Sequence, residues 1–165
     1  LTPRLISYLT HFAPHTGPAL AKLPRQVIHG DFNPHNLLAD PADPNHLTGI
    51  LDFGDITLSH RICDLAVAAS YLIDPADPLR LLIPLTTAYH QANLLTTNEL
   101  RLLPDLITAR LLTTLTISAW RAARYPGNAT YILRNAPASR SGLDALTDPT
   151  TLGRTLLQAC ESRKP

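Results

Sequence analysis

Three short β-prone runs lie close together near the start of the chain, and helical patterns fill most of the remaining sequence. The runs are 26–28, 37–39 and 47–51. The first leads directly into His29-Gly30-Asp31, and the third ends at Asp52-Phe53-Gly54-Asp55. Short β-prone runs bounded by residues that favour turns predict strands. We therefore expect an α+β fold that is mostly helical, with a few short strands that carry these two motifs.

Apolar residues recur at helical spacing after Arg61. The segment 65–72 is apolar on nearly every side, which predicts a buried helix. Pro78 stands at the start of a second helix over 79–92, and a last amphipathic helix is expected over 150–161. These helices would supply most of the hydrophobic core.

Prolines and one tryptophan lead to three further expectations. A first helix around 5–9 would be broken by Pro14, Gly17 and Pro18. Asn98 would cap a long helix that runs towards Trp120, with Pro104 as the point where it would break. Trp120 itself is expected to be a core anchor.

Composition limits the classes of function. The 165 residues fit one domain with one core, and the net charge of +1 argues against a nucleic-acid partner. No run of about 18 or more apolar residues occurs, so we expect no membrane span. Cys63 and Cys160 stand alone in sequence, which predicts two reduced, buried thiols and a cytoplasmic location.

Asp31, Asn36 and Asp52 form an ordered set of oxygen-bearing side chains. Asn36 follows Asp31 by five positions, and Asp52 follows Asp31 by 21, which leaves room for one β-hairpin between them. Carboxylate and amide oxygens suit Mg²⁺, which completes its ligand set with water and phosphate oxygens. Protein kinases place a catalytic Asp, an Asn five residues later and a later Asp-Phe-Gly in the same order.

The chain resembles the aminoglycoside phosphotransferase and choline kinase superfamily, because glycine replaces arginine in the first motif. The segments 27–33, 50–55 and 59–68 look most like the hydroxylysine kinase branch, and 117–121 with 126–128 are similar to the end of that domain. Each segment is a weak signal alone, whereas the ordered set is specific. The resemblance covers nearly the whole chain and implies the C-terminal lobe of a protein-kinase-like fold.

The resemblance implies a role for each matching residue of the reaction centre. Asp31 would be the catalytic base, or the carboxylate that orients the acceptor hydroxyl. Asn36 and Asp52 would bind Mg²⁺ and, with His29, form the cofactor-binding set. The His29 ring would pack beneath the loop and fix its shape rather than transfer protons.

Three other residues take supporting roles in this resemblance. Asp64 would brace the catalytic loop by accepting hydrogen bonds from backbone N–H groups. Asp55 would either contact the amino group of the substrate or cap the segment after it. His35 lies in the loop, where it could approach the substrate or simply be solvated.

The resemblance also indicates what lies outside this sequence. Members of the superfamily have an N-terminal nucleotide-binding lobe with a glycine-rich turn and a lysine that pairs with the phosphates. Lys22 is the one lysine before the catalytic loop, and its sequence context is not that of a strand lysine. We therefore expect residues 1–165 to be the C-terminal catalytic lobe of a longer protein, with negligible turnover alone.

Two classes of function remain open at this point. The first is a kinase that transfers the γ-phosphoryl group of ATP or GTP to a hydroxyl of a small, amino-bearing metabolite. Hydroxylysine is the acceptor that the resemblance suggests; an aminoglycoside, choline or homoserine is the alternative. The second class is a non-catalytic, pseudokinase-like binding module or an inactive fragment.

Arg110, Arg121 and Arg124 lie on the predicted long helix and could form one wall of the acceptor pocket. Solvated arginines or ion pairs are the favoured interpretation for each of them.

Overall fold

A computed structural model of the chain describes residues 2–162. Four strands are present: β1 (Arg25–Ile28), β2 (Leu37–Asp40), β3 (Asp43–Ile50) and β4 (Thr57–His60). Two helices precede them, α1 (Thr2–His11) and α2 (Gly17–Leu20), joined by a π-helical turn over Phe12–Thr16. Six come after them: α3 (Arg61–Ser70), α4 (Leu79–Ala92), α5 (Thr97–Arg124), α6 (Ala129–Ile132), α7 (Ala136–Ala145) and α8 (Pro149–Glu161). The α+β, mostly helical fold is confirmed.

The strands form two antiparallel pairs, one nested inside the other in sequence. β1 pairs with β4, so that Ile28 lies opposite Thr57, and β2 pairs with β3, so that Leu37 lies opposite Ile50. The segments 29–36 and 51–56 therefore connect the same two pairs and run side by side. A hydrogen bond from the Leu51 N–H to the Asn36 carbonyl, 2.8 Å long, joins them. Both sequence motifs are thus brought to one place by the topology.

The core is built around α5, which packs against α3, α7 and α8. Fully buried apolar side chains come from all four of these helices; they include Ile62, Leu103, Ile107, Leu143 and Leu156. By length and composition alone, α5 could cross a membrane. Its buried face here lies against the other helices, an arrangement that the central helix of a helical core also has.

A buried ion pair joins the first turns of α3 and α5. The Arg61 Nε and Nη2 atoms lie 2.7 and 2.9 Å from the two carboxylate oxygens of Glu99, whose side chain is fully buried. Thr96 and Glu99 also form a capping box at the start of α5. Burial opposes ionisation of Glu99, but hydrogen bonds from Arg61 and Thr96 outweigh it and lower its pKa below the usual 4.5.

Several local expectations need correction. The regular α-helix does end before Pro14, at His11, but the chain stays helical there: a π-helical turn contains Pro14, and Pro18 falls in the first turn of α2. The cap of α5 is Thr96 rather than Asn98. Pro104 does not interrupt α5, because its ring is buried and faces Gly153 of α8.

Burial of single side chains also differed from expectation. Trp120 is 62% exposed rather than a core anchor, and Ala119 and Arg121 beside it are exposed as well. Both cysteines were expected to be buried, but only Cys160 is fully buried, and Cys63 is half-buried. Apolar character alone did not indicate which face of a helix is covered.

The buried Arg61–Glu99 pair should contribute far more to stability than an exposed pair. We expect Glu99→Ala to lower the free energy of unfolding by about 3–5 kcal/mol, because it leaves the Arg61 guanidinium buried without its counter-charge. Arg80→Ala removes the exposed Asp74–Arg80 pair and should cost much less, because solvent screens an exposed pair. Urea unfolding of both variants measures the difference, and equal losses would contradict the expectation.

Acid should remove the contribution of the same pair. The pKa of Glu99 is lower in the folded chain than its unfolded value of 4.5, so its contribution is complete above that pH. It should be lost as the pH falls from 4.5 through the lowered folded value. Unfolding free energies of the parent chain and of Glu99→Ala should therefore converge in acid; a difference that stays constant down to acid pH would argue against this assignment.

Candidate active site

Residues 29–36, the segment expected from the sequence to be the catalytic loop and called by that name below, begin with a sharp turn at Gly30. Its φ of 85° lies in the left-handed region that side chains disfavour. A Cβ added to Gly30 would also lie 2.4 Å from the Asp55 carbonyl oxygen. Glycine is therefore required at position 30 for two reasons: the backbone is left-handed, and the 51–56 segment leaves no room for a side chain.

Asp64 holds the first two residues of this loop. Its carboxylate oxygens accept hydrogen bonds from the N–H groups of His29, at 3.1 Å, and Gly30, at 3.0 Å. Asp64 lies in the first turn of α3. A carboxylate that contacts backbone N–H groups is the role that the resemblance implies for Asp64, and these two contacts are of that kind. They connect the loop to a core helix.

The His29 ring joins the catalytic loop to the second motif. Its Nε2 lies 2.8 Å from the Leu51 carbonyl oxygen, and its Nδ1 lies 3.4 Å from the Asp31 N–H. The ring centroid is 5.0 Å from that of Phe53. Since the Leu51 carbonyl only accepts and the Asp31 N–H only donates, this arrangement favours the tautomer with its proton on Nε2. Both nitrogens are engaged with the backbone, and the side chain is buried.

Asn33, to which the sequence analysis gave no role, organises the middle of the loop. Its Nδ2 donates to the Asp31 carbonyl and to the Asp31 Oδ2, both at 3.0 Å, and its Oδ1 accepts from the His35 N–H at 2.9 Å. The side chain is 4% exposed. An Asn immediately before Pro34 is a signal for such a turn, because its side chain can bond the backbone two residues on.

The Asp31 carboxylate is held from two sides. Asn33 donates to Oδ2, and the Arg110 Nη2 lies 2.5 Å from Oδ1. Arg110 belongs to α5, so this ion pair joins the catalytic loop to the central helix. An ion pair was a favoured interpretation for Arg110, but the sequence did not identify its partner. About a quarter of each side chain remains exposed, which leaves the Asp31 carboxylate accessible to a ligand.

Asn36 and Asp52 both flank the open end of the β2–β3 hairpin, where the Leu51 N–H bonds to the Asn36 carbonyl. Asn36 comes directly before β2, and Asp52 follows the end of β3 by two residues. The Asn36 Nδ2 donates to the Asp31 carbonyl oxygen at 2.9 Å. This hydrogen bond does not use the amide oxygen of Asn36. Asp52 is exposed and takes a left-handed conformation with φ 60°, which Asp tolerates better than most residues.

The chemistry of Asn36 and Asp52 fits a magnesium ion. One carboxylate and one amide oxygen form the partial ligand set that Mg²⁺ uses when nucleotide phosphates and water supply the rest. Within residues 2–162, no group of three or more His, Cys, Asp or Glu side chains is arranged to hold a metal. The donors present therefore suit an ion that arrives with a nucleotide better than a closed structural site.

Asp55 and His35 lie at the edge of the site. The Asp55 side chain is exposed and accepts no hydrogen bond from any residue in the described range, so the structure shows no capping contact. The His35 ring stands edge-on to Tyr71, with centroids 6.0 Å apart.

Comparison with known proteins identifies the family. The sequence profile described as the phosphotransferase enzyme family matches residues 3–103, and the chain belongs to this family. It is 33% identical to a hydroxylysine kinase of Danio rerio over 82% of this chain and 39% of the relative. A hydroxylysine kinase of Mus musculus is 28% identical over 74% of this chain and 34% of the relative. The superfamily and branch that the motifs indicated are confirmed.

A bacterial relative matches a shorter segment. An aminoglycoside 3'-phosphotransferase of Streptomyces ribosidificus is 42% identical over 52 residues, which is 32% of this chain and 19% of the relative. No solved structure gives a significant match. The chain spans about two fifths or less of the length of the curated hydroxylysine kinases named above.

The Gly30 turn gives a direct test of the loop geometry. We expect Gly30→Ala to cost more than the roughly 1–2 kcal/mol of a left-handed alanine, because the added Cβ also meets the Asp55 carbonyl. Gly127→Ala is the matched control, since its Cβ would meet nothing within 4 Å. Urea unfolding compares the two, and a Gly30→Ala variant as stable as Gly127→Ala would show that the loop conformation is wrong.

Proposed function

We propose that this chain carries the acceptor and magnesium half of the active site of a small-molecule kinase. The reaction would transfer the γ-phosphoryl group of ATP or GTP to a hydroxyl of a small, amino-bearing metabolite. The observation that supports this most is the convergence of Asp31, Asn36 and Asp52 where the two connecting segments meet. Family membership supports the same chemistry at the level of phosphotransfer.

Asp31 would act on the acceptor. Its exposed carboxylate would orient the acceptor hydroxyl towards the γ-phosphorus and accept the hydroxyl proton as the new O–P bond forms and the nucleoside diphosphate leaves. Asn36 and Asp52 would hold Mg²⁺, which when bound neutralises phosphate charge. Catalysis of this kind depends on positioning and electrostatic stabilisation, with little covalent work for the protein.

The remaining site residues would act through the shape and charge of the loop. His29 and Asp64 use their polar atoms on the backbone and so would contribute to cofactor binding by fixing the loop rather than by touching the nucleotide. The carboxylate of Asp55, which caps nothing in the described residues, would be available to the ammonium group of the acceptor. His35 would line the approach to Asp31.

An exposed apolar surface supports the proposal that a second lobe completes the site. Strands and connecting segments between 27 and 58 expose eight large apolar side chains: Val27, Leu38, Leu47, Ile50, Leu51, Phe53, Ile56 and Leu58. Apolar surface concentrated in this way marks an interaction site. We propose that the N-terminal nucleotide-binding lobe of the same protein covers it. Residues 1–165 alone should then bind nucleotide weakly and turn over negligibly.

Substitution of the two aspartates tests the catalytic assignment. In the full-length protein, Asp31→Asn and Asp52→Asn should each lower kcat by about 10²–10⁴-fold, because the first loses a proton acceptor and the second a metal ligand. Asp43→Asn is the matched control, since Asp43 lies at the opposite end of the same hairpin. Nucleotide consumption measures the effect, and undiminished turnover in either active-site variant would refute its role.

A panel of candidate acceptors tests which small molecule the protein phosphorylates. Hydroxylysine, homoserine, choline and kanamycin, offered separately with ATP or GTP and Mg²⁺, should show which hydroxyl is phosphorylated. Binding of nucleotide without consumption of it, with every acceptor, would favour the non-catalytic binding module instead.

A further inference from the structure

A cavity of about 230 Å³ lies beside the catalytic loop, between the end of α3, the second half of α5 and the segment after α6. Three of its lining residues are arginines, Arg110, Arg121 and Arg134, and we call it the arginine pocket. Arg124, which the sequence analysis grouped with Arg110 and Arg121, does not line it.

Two contacts connect the arginine pocket to the catalytic loop. Arg110 forms the ion pair with Asp31, and Tyr71, another lining residue, meets the ring of His35. None of Asp31, Asn36 and Asp52 lines the cavity, but its lining residue Arg110 contacts Asp31 directly. The pocket therefore adjoins the proposed catalytic carboxylate and not the proposed magnesium ligands, which is the side expected for the acceptor rather than for the nucleotide phosphates.

The pocket has an excess of positive charge. No carboxylate lines it, and within residues 2–162 only Arg110 of the three arginines has an acidic partner. The Arg110 Nε is buried and makes no hydrogen bond there. Since the whole chain has a net charge of only +1, three guanidinium groups around one small cavity are a local concentration.

One of these arginines is held in place before any ligand binds. The Arg134 guanidinium lies 4.0 Å from the Tyr131 ring centroid, and its Nη1 donates to the Tyr131 carbonyl at 3.1 Å. A stacked guanidinium keeps most of its donors while losing little further freedom on binding. Guanidinium groups match carboxylates in shape and charge, so the arrangement suits a carboxylate ligand.

We propose that the arginine pocket binds a carboxylate group of the acceptor. This inference rests on the proposed function and narrows it: the acceptor is a hydroxylated amino acid, whose carboxylate meets the arginines while its hydroxyl lies at Asp31. A polycationic aminoglycoside or choline would bring positive charge to three arginines, which disfavours it. The cavity is also smaller than the roughly 300–1,000 Å³ of pockets that enclose drug-sized ligands.

Matched pairs of ligands test the carboxylate requirement. Calorimetric titration of the full-length protein would compare 5-hydroxylysine with 1,5-diaminopentan-2-ol, and homoserine with 3-aminopropan-1-ol. Within each pair the second compound keeps the hydroxyl and loses only the carboxylate. We expect at least one of the two amino acids to bind about tenfold or more tightly than its partner, the size of one charge-assisted hydrogen bond.

Variants of the arginines test which of them bind the carboxylate. Arg121→Gln and Arg134→Gln should each weaken binding of that amino acid by about tenfold and should not weaken binding of its carboxylate-free partner. Arg140→Gln, an exposed arginine of α7 outside the pocket, is the matched control and should change neither. Circular dichroism of each variant shows that a loss of binding is not a loss of fold.

The outcomes separate this inference from the proposed function. If neither amino acid binds more tightly than its partner, or if the variants weaken nucleotide binding instead, the inference is overturned, whether or not the protein is a kinase. If carboxylate-dependent binding is found but no acceptor is phosphorylated, the proposed function fails while the assignment of the pocket stands.

Discussion

The carboxylate of Asp64 is the contact on which the catalytic loop depends. By accepting hydrogen bonds from the N–H groups of His29 and Gly30, it fixes the turn that places Asp31. Asp64 shares α3 with Arg61, whose buried pair with Glu99 ties α3 to α5, and α5 returns Arg110 to Asp31. These polar contacts link the loop to two core helices, α3 and α5. The Asp31 carboxylate is therefore positioned through α3 on one side and through α5 on the other.

The features that the sequence predicted are those decided by nearby residues. The strand runs, the two motifs, and the helix over 79–92 depend on local composition, and the structure has each of them. The features that it missed depend on partners far along the chain. The strand 57–60 exists because it pairs with β1, and the partner of Arg110 lies 79 positions away. Exposure of Trp120 likewise depends on which helices cover α5, and no local pattern contains that information.

The distribution of charge around Asp31 would favour one orientation of a bound ligand. Asn36 and Asp52 bring amide and carboxylate oxygens to one part of the site, whereas guanidinium groups come from α5 and the segment after α6. Arg110 is one of these guanidinium groups, and it contacts Asp31 itself. Fixed charges of opposite sign on either side of a reacting group discriminate between ligands by orientation as well as by affinity. A ligand that carries both a positive and a negative group is therefore selected by its affinity and by its orientation.

The β2–β3 hairpin has a thermodynamic consequence for the proposed magnesium site. Two-stranded hairpins are marginally stable on their own, and seven of the eight residues of β3 are exposed. Asn36 comes directly before this hairpin and Asp52 follows it, so pairing of β2 with β3 contributes to holding the two residues near each other. The affinity of the proposed site for an ion would therefore be linked to local opening of the hairpin as well as to the stability of the helical core. An ion bound there would stabilise the closed hairpin by the same free energy that opening subtracts from its binding.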